Sequence, residues 1–330
     1  MKIPNKRLID TGSMCRVSKD KINEDNVEFI ARFLVDMKVL VTGINGFIGR
    51  YVAKLLSTQH EVFGTISRPT QSHFSSPVKM ISADFSDPTF VDRLPPNIDC
   101  VIHLAQSKEY RNFPAGAEDM RRINIDATCL LLDWSSRTGV KKFIFSSTAN
   151  VYGKTTEVLS ESHSTQPESF YGATKLAAEH LARQYQTNFQ VDILRLFTVY
   201  GPNQEAMLIP NIANRIRQGK LITLAGGVGV HLSPIYVEDV SGIFSQLIEK
   251  KSTNNFRLLN VCGDERTSLA GIVRSIERVL NKKALIKLSK EEVPYFVGNN
   301  KLLKEQISNY TLRGLESGIS KTFNVAKMSN

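Results

Sequence analysis

The stretch at residues 38–49, KVLVTGINGFIG, constrains the fold of this chain more than any other. It opens with a short apolar run rich in β-branched residues, which predicts one buried strand. Three glycines follow at three-residue spacing: Gly43, Gly46 and Gly49. Helical periodicity begins at Arg50, so the glycines form the turn between a strand and a helix. Such a turn lets the backbone approach a pyrophosphate and points the helix N–H groups at its charge. A glycine turn without a ligand is the alternative that this stretch alone leaves open.

Length, cysteine usage and charge limit the class of protein. The chain has 330 residues, enough for one large α/β domain with a smaller lobe. No apolar run reaches bilayer length, so no membrane span is predicted. The four cysteines are scattered without metal-ligand spacing, and we expect reduced thiols in a cytoplasmic protein without a metal site. The net charge of +10 is spread along the chain, which favours a basic solvated surface over a nucleic-acid or membrane partner.

Strand and helix patterns alternate from Met37 onward. This alternation predicts an α/β fold with a doubly wound parallel sheet of the Rossmann type. The predicted strands are at residues 39–41, 61–66, 78–83, 99–105, 142–145, 191–197, 221–224 and 258–261. The predicted helices are at residues 117–136, 170–186, 207–218 and 268–280, and a turn is predicted at 226–229.

These patterns divide the chain into three regions. Residues 37–197 are predicted to form the dinucleotide-binding domain, and residues 198–330 mainly a substrate-binding lobe, with some segments returning to the sheet. Residues 1–36 lack the features of a signal or transit peptide. They hold one amphipathic helix by pattern, between Ile22 and Leu34. Because Met37 directly opens the first strand, these residues form either an accessory extension or a segment ahead of the native start.

The segment YGATK places the phenol of Tyr171 and the ammonium of Lys175 four residues apart, on one face of a helix. A cation beside a phenol favours the phenolate, so the spacing predicts a pKa of Tyr171 lowered toward neutrality. The preceding strand ends in FSST and supplies a hydroxyl, that of Thr148. An amphipathic helix without a catalytic role can carry the same spacing. The order of glycine turn, hydroxyl and Tyr–Lys pair favours a proton-transfer site.

With these features the chain resembles the extended short-chain dehydrogenase/reductase family, the NAD(P)-dependent nucleotide-sugar epimerases and dehydratases. The resemblance covers residues 37–323, nearly everything except the N-terminal extension. The matching motifs are TGINGFIG at 42–49, ADF at 83–85, HLAQ at 103–106, FSSTANVYG at 145–153, YGATK at 171–175, RLFTVYGP at 195–202 and SPIYVEDV at 233–240.

The resemblance implies a role for each site residue. Tyr171 would be the acid/base, Lys175 would orient the cofactor ribose and lower the tyrosine pKa, and Thr148 would hydrogen-bond the reacting sugar oxygen. Asp84 would accept from the adenine amino group, with Phe85 beside it. Further implied cofactor contacts are Gly43, Gly46, Phe47, Ile48, Gly49, Leu104, Ala105, Gln106 and Phe197. Implied substrate contacts are Ser107, Asn150, Thr198 and His231.

The cofactor can be chosen from the residues about twenty positions after the glycines. A carboxylate there would bind the ribose 2′-hydroxyl of NAD and repel a 2′-phosphate. This chain has Thr-Ile-Ser67-Arg68 instead, and a hydroxyl beside a guanidinium suits the phosphate of NADP. NADP is therefore favoured and NAD is the alternative. An Arg68 side chain in solvent is the plain reading.

Departures from the family pattern narrow the reaction. The family's 4,6-dehydratases follow the active-site threonine with Asp-Glu, whereas here Ala149 and Asn150 follow and neither exchanges a proton. Dehydration is therefore disfavoured. Many sugar-nucleotide members have Asn where this chain has Thr198 and Arg where it has Leu232, and both contact the substrate diphosphate. The adjacent His231 either substitutes for the arginine in part or is an ordinary loop histidine.

These observations leave three hypotheses. The first is a nucleotide-sugar epimerase that oxidises a sugar carbinol transiently and returns the hydride to the other face. The second is an NADPH-dependent keto-sugar reductase, which needs the same threonine, tyrosine and lysine. The third is a catalytically idle NAD(P)-binding protein, against which the intact set of three residues argues. A sugar nucleotide is the expected substrate, and a homodimer is the expected assembly.

Overall fold

Seven parallel strands form the central sheet of this protein. The structure is a computed structural model and describes residues 37–67, 77–307 and 310–324. The N-terminal extension with its predicted helix, and Arg68, lie outside the described residues.

The described residues contain fourteen strands and nine α-helices. The strands are β1 Lys38–Thr42, β2 Glu61–Ile66, β3 Val78–Ser82, β4 Cys100–His103, β5 Lys142–Thr148, β6 Gln190–Leu196, β7 Val199–Tyr200, β8 Leu221–Ala225, β9 His231–Leu232, β10 Ile235–Tyr236, β11 Phe256–Val261, β12 Thr267–Ser268, β13 Leu285–Ser289 and β14 Tyr295–Phe296. The α-helices are α1 Phe47–Leu56, α2 Ala117–Arg121, α3 Ala127–Thr138, α4 Phe170–Gln184, α5 Leu208–Arg217, α6 Val237–Glu249, α7 Leu269–Leu280, α8 Lys301–Gln306 and α9 Leu315–Asn324. A π-helical segment, Arg122–Asp126, joins α2 to α3.

The strand order in the sheet is β11-β6-β5-β4-β1-β2-β3. Side chains alternate across β1, so Val39 and Val41 face one layer and Leu40 faces the other. The first layer contains α1 and α6, and the second contains α3 and α4. Because both faces are covered, the central strands β1 and β4 are buried at nearly every residue. The Rossmann-type doubly wound fold predicted from the sequence is confirmed.

A smaller core lies beyond the sheet. It is built from α5, α7 and α9 packed around the apolar residues of β8 and β9. Three short sheets complete it, in the orders β10-β7, β12-β9-β14 and β13-β8. Leu159, in the loop after β5, forms an isolated β-bridge with Gly298, so this loop contacts the segment after β14. This region lies within residues 198–330, and its predicted role as a substrate-binding lobe stays a prediction.

The chain crosses back to the main sheet after its first six strands. β11 pairs with β6 in parallel, and α6 packs in the first core layer, so two late segments belong to the main sheet and its layers. The sequence patterns predicted β11 but missed α6 and α9. The boundary at residue 197 stays a prediction. None of the helices in the described ranges is long and apolar enough to cross a bilayer.

A buried ion pair joins the last two strands at the edge of the sheet. The guanidinium of Arg257 on β11 donates to Asp192 on β6, with Nε 2.8 Å from Oδ1. Nearby, the ammonium of Lys142 donates to the carbonyls of Leu247, Ile248 and Lys250 at the end of α6, at 2.6–2.8 Å. Cations at a helix C-terminus satisfy its free carbonyls and complement its dipole. This cluster therefore stabilises the fold at the end of the strands away from the site.

Candidate active site

The glycine turn after β1 leaves no room for a side chain at Gly43 or Gly49. Gly43 has φ +66°, and a Cβ there would lie 2.9 Å from the backbone of Ala105. A Cβ on Gly49 would lie 2.5 Å from the carbonyl oxygen of Gly43. Helix α1 starts at Phe47 with Gly46 as its N-cap, without a side-chain cap and without an acidic residue in its first turn. Its first N–H groups are therefore available to an anion, and the turn fits a dinucleotide pyrophosphate.

The residues predicted to hold the adenosine half follow the carboxyl ends of neighbouring strands. Ser67 is exposed directly after β2, and Asp84 is exposed just beyond β3. Oδ1 of Asp84 accepts from the backbone N and the hydroxyl of Ser86, at 2.9 and 2.8 Å. Phe85 is buried, with its ring centroid 4.3 Å from that of Phe90, so it contributes to the core. The predicted cofactor contacts of these residues and of Ile48 stay predictions.

A buried hydrogen-bonded chain fixes the loop after β4. The hydroxyl of Thr42 accepts from the backbone N–H groups of Leu104 and Ala105, both at 3.1 Å. Its own proton is then donated to Nδ1 of His103 at 2.7 Å. The other ring nitrogen, Nε2, donates to the hydroxyl of Thr128 at 3.0 Å. This pattern assigns the proton of the neutral imidazole to Nε2.

Burial keeps His103 neutral. The ring is fully buried, and the loss of water together with the positive charge of Lys175 lowers the pKa of His103 to about 3. A neutral histidine can accept at one nitrogen and donate at the other, which the chain of hydroxyls requires. His103 therefore holds the backbone at Leu104 and Ala105, which the sequence assigns to the cofactor.

The reacting groups form a second set of hydrogen bonds. The hydroxyl of Thr148, at the end of β5, accepts from the backbone N and the side-chain Nδ2 of Asn150, both at 3.2 Å. Its own proton is therefore free to be donated, and Thr148 lies close enough to the phenol of Tyr171 to lower the pKa of that phenol. The phenol in turn donates to Oε1 of Gln106 at 2.7 Å. The structure thus brings Thr148, Asn150, Tyr171 and Gln106 together at the carboxyl ends of β4 and β5.

The pKa of Tyr171 differs from the sequence prediction. Burial raises this pKa well above its usual range, the nearby hydroxyl of Thr148 lowers it, and the nearby phenol of Tyr110 raises it. The prediction of a lowered pKa is therefore wrong for this structure, because burial outweighs the other influences and Lys175 is not among them. At neutral pH Tyr171 holds its proton.

Lys175 lies one turn further along α4, on the same helix face. It is buried, and its ammonium lies 4.2 Å from the centre of the Phe145 ring, a cation–π contact. Burial lowers the pKa of Lys175 to about 7, against an opposing influence of Glu179. The charge of this lysine therefore changes close to neutral pH.

Four other predicted residues are placed less directly. Ser107 is completely buried, donates to Asp119 and accepts from the backbone N of Glu109, so its hydroxyl supports the loop. Phe197 is buried, and the backbone carbonyl of Thr198 accepts from the backbone N–H of Ile235 on β10. His231 opens β9, with its ring centroid 5.3 Å from that of Tyr295. In the part of the chain that the structure describes, no contact joins these four residues to Tyr171, and their predicted roles stay predictions.

Sequence reasoning missed two contacts at the mouth of the site. The ring of Tyr110 lies 5.5 Å from that of Tyr171, and its hydroxyl donates to the sulfur of Met207 at 3.3 Å. Arg111 donates to the carbonyl of Ala206 at 2.9 Å. The loop after β4 therefore reaches across to the segment before α5. No spacing signals this contact, because the two segments are almost a hundred residues apart in sequence.

The strand order of the sheet and the glycine turn after β1 define a Rossmann-type dinucleotide-binding fold. The model of the NAD dependent epimerase/dehydratase family matches residues 39–262, and the chain belongs to this family. It is thus an enzyme of the extended short-chain dehydrogenase/reductase type, as the sequence motifs predicted.

Individual relatives agree with this assignment. The chain is 30% identical over 276 residues to the Bacillus subtilis (strain 168) protein named uncharacterized UDP-glucose epimerase YtcB, covering 77% of this chain and 85% of that protein. It is 28% identical to a trifunctional Arabidopsis thaliana protein whose name includes UDP-glucose 4,6-dehydratase, of which it spans 39%.

Solved structures give the same picture. MoeE5 in complex with UDP-glucuronic acid and NAD has a TM-score of 0.77 and 26% identity, covering 89% of this chain and all of that chain. A tyrosine-to-phenylalanine mutant of UDP-glucuronic acid 4-epimerase from Bacillus cereus, in complex with a fluorinated UDP-sugar and NAD, has a TM-score of 0.78 and 26% identity, with the same coverage.

Proposed function

We propose that this protein is an NAD(P)-dependent nucleotide-sugar epimerase. The observation that carries the proposal is the grouping of Thr148, oriented by Asn150, with the phenol of Tyr171, which donates to Gln106, at the same edge of the sheet as the glycine turn. Support comes from YtcB, which is named an epimerase, and from the B. cereus 4-epimerase, whose structure contains a UDP-sugar and NAD.

Tyr171 and Thr148 would have different roles in the proton transfer. Tyr171 would first lose its own proton to solvent; as the phenolate it would then take the proton of the sugar hydroxyl and return it, while the hydroxyl of Thr148 donates to the same sugar oxygen. Protonated Lys175 would hold the cofactor ribose, the role that the resemblance implies, since it is not among the influences on the pKa of Tyr171 in this structure. A bound nicotinamide ring would accept the hydride and return it. Gln106 must exchange its hydrogen bond for one from the substrate, since it now accepts from the phenol.

The cofactor would be held by the elements already described. The turn at Gly43 and the first turn of α1 would hold the pyrophosphate, and the ends of β2 and β3 would hold the adenosine. NADP is favoured by Ser67 and Arg68 in the sequence, whereas the similar structures contain NAD. We propose a nicotinamide dinucleotide and assign the choice to the Arg68 variant described in the Discussion.

The substrate would be a sugar nucleotide, and the reaction would not include the elimination of water that 4,6-dehydratases carry out. Ala149 and Asn150 follow Thr148, and in this structure the backbone N and the side-chain Nδ2 of Asn150 both donate to the hydroxyl of Thr148. An amide cannot shuttle the proton that elimination of water needs. A keto-sugar reductase remains the alternative, because it uses the same groups. A homodimer is the proposed assembly, checked by light scattering during size-exclusion chromatography.

The deciding experiment follows product configuration and cofactor absorbance together. Pure protein is incubated with a panel of sugar nucleotides, with and without NADPH or NADH. An epimerase gives inverted product without net loss of reduced cofactor. Stoichiometric loss of reduced cofactor with a keto-sugar substrate would promote the reductase instead.

The phenol tests the mechanism separately. Tyr171→Phe removes only the hydroxyl, so turnover should fall by about two to four orders of magnitude while cofactor binding survives. Tyr185→Phe is the matched control, because Tyr185 caps the far end of the same helix. Near-normal turnover of the Tyr171 variant would contradict the proposed role.

A further inference from the structure

Helix α4 carries a third ionisable residue on the face that holds the tyrosine and the lysine. Tyr171, Lys175 and Glu179 are spaced by four residues, so they follow one another along one side of the helix. Glu179 is only 4% exposed and Lys175 only 2% exposed. A buried carboxylate that is not solvated needs partners, and these determine where its charge acts.

The carboxylate of Glu179 is held from two strands. Arg195 on β6 donates from Nε to both oxygens, at 3.0 and 3.2 Å, and from Nη2 to Oε2 at 2.7 Å. Ser147 on β5 donates its hydroxyl to Oε1. Ser147 directly precedes Thr148, so the carboxylate is fixed to the strand that carries the reacting hydroxyl. Such bidentate geometry leaves the side chain little freedom.

The other groups around Lys175 cannot balance its charge. His103 on β4 is neutral, Tyr171 on the same helix holds its proton, and Arg195 on β6 is itself a cation. The ring of Phe145 on β5 offers only its face. Of the groups facing Lys175 in the described ranges, Glu179 is the one that carries negative charge. Two buried cations thus share a single carboxylate.

We propose that Glu179 is a positioning residue of the reaction, one whose charge, a helical turn beyond Lys175 on the same buried face, keeps that lysine protonated. The inference rests on the proposed function, since it assigns Lys175 to the cofactor. Without the carboxylate, burial acts on the lysine unopposed, and the amine loses its proton at a lower pH. The arginine pairing then serves to hold the carboxylate in position.

The chain offers a matched control for this proposal. Asp192 is another buried carboxylate in a bidentate pair with an arginine, Arg257, and it lies three residues before Arg195 on the same strand. Glu179→Gln and Asp192→Asn each leave a buried guanidinium without its carboxylate, so both should lower the unfolding temperature. Only the first should change the titration of Lys175.

The experiment measures the affinity for NADPH and NADH by nucleotide fluorescence as a function of pH. Since the pKa of Lys175 is about 7, wild-type affinity should fall as the pH rises through this value. In Glu179→Gln the inflection should move down by about one pH unit, which gives roughly fivefold weaker binding near pH 7. Asp192→Asn should keep the wild-type inflection. An unchanged inflection in Glu179→Gln, or an equal shift in both variants, would overturn the proposal.

A second variant covers a failure to fold. Glu179→Gln combined with Arg195→Met removes both charges of the pair, which buried pairs often tolerate. Arg195 is not among the influences on the pKa of Lys175, so the double variant should show the same downward shift. A wild-type inflection here contradicts the role of Glu179. Because binding is measured without substrate, failure to turn over any sugar nucleotide would count against the proposed function alone.

Discussion

The phenol of Tyr171 donates to the side-chain oxygen of Gln106 across the mouth of the site, at 2.7 Å. Tyr171 belongs to α4, whereas Gln106 follows the end of β4. An amide oxygen accepts this hydrogen bond without taking the proton. The contact therefore stabilises the protonated phenol, in agreement with the raised pKa of Tyr171.

Replacing this amide by a carboxylate should change the pH dependence of turnover. In Gln106→Glu a negative charge would lie beside the phenol and raise the pKa of Tyr171 further. The acid limb of the rate profile for sugar oxidation should then move up by about one pH unit. Gln106→Ala, which adds no charge, is the control and should not show this upward move. Superimposable profiles of the glutamate variant and the wild type would show that the contact does not tune Tyr171.

His103 should make the protein sensitive to acid. Its pKa is about 3 when folded and about 6.5 when unfolded, so the unfolded chain binds more protons between these values. Stability from this group is complete above pH 6.5 and is lost as the pH falls toward 3, by up to about 1.4 kcal/mol per unit. Denaturant unfolding at several pH values measures this slope. His103→Gln should be less stable at pH 7 but should lack this contribution, whereas His180→Gln, an exposed change, should keep it.

Gly172 should tolerate no side chain. A Cβ at this position would overlap the carbonyl oxygen of Asn150, a backbone atom that cannot swing away. Gly172→Ala should therefore cost about 1–3 kcal/mol in unfolding free energy and displace the donors to Thr148, lowering turnover. Ala173→Gly, at the exposed neighbouring position, should cost about 1 kcal/mol by helix propensity and leave turnover unchanged. Equal activity of the two variants would contradict this account.

Arg68 should decide the cofactor. Arg68→Glu places a negative charge where the sequence predicts the 2′-phosphate, so NADP binding should weaken strongly and NAD binding little. Fluorescence titration with both reduced cofactors measures the difference. Lys79→Glu on β3 serves as a control for surface charge. Equal losses for NADP and NAD would remove Arg68 from this role.

The sequence predicted the part of the site that depends on local spacing. The glycine turn after β1 and the Tyr171–Lys175 pair each depend on one turn or one helix, so their geometry follows from the order of residues. The seven strands of the sheet could also be predicted from the sequence, because each contains a short run of apolar residues.

What the sequence could not show is pairing between distant segments. The contact of Glu179 with Arg195 depends on α4 packing against β6, and that of Tyr171 with Gln106 depends on the neighbouring order of β4 and β5. The four-residue spacing from Lys175 could have placed Glu179 on the same helix face, but it could not have shown the contact with Arg195. The pKa of Tyr171 was mispredicted for a related reason, since burial is a property of the packed structure.

The ion pair between Asp192 and Arg257 has a consequence for how the protein is made. A ribosome completes β6 well before it reaches β11, with residues 197–255 synthesised in between. During that interval β6 is an open edge, and the carboxylate of Asp192 awaits its guanidinium. A nascent chain at this stage is a natural client for chaperones, because an unpaired edge strand invites pairing with other chains. The sheet gains its last strand only when Phe256–Val261 emerges, so a chain that terminates earlier keeps β6 as its edge, with Asp192 lacking its arginine partner.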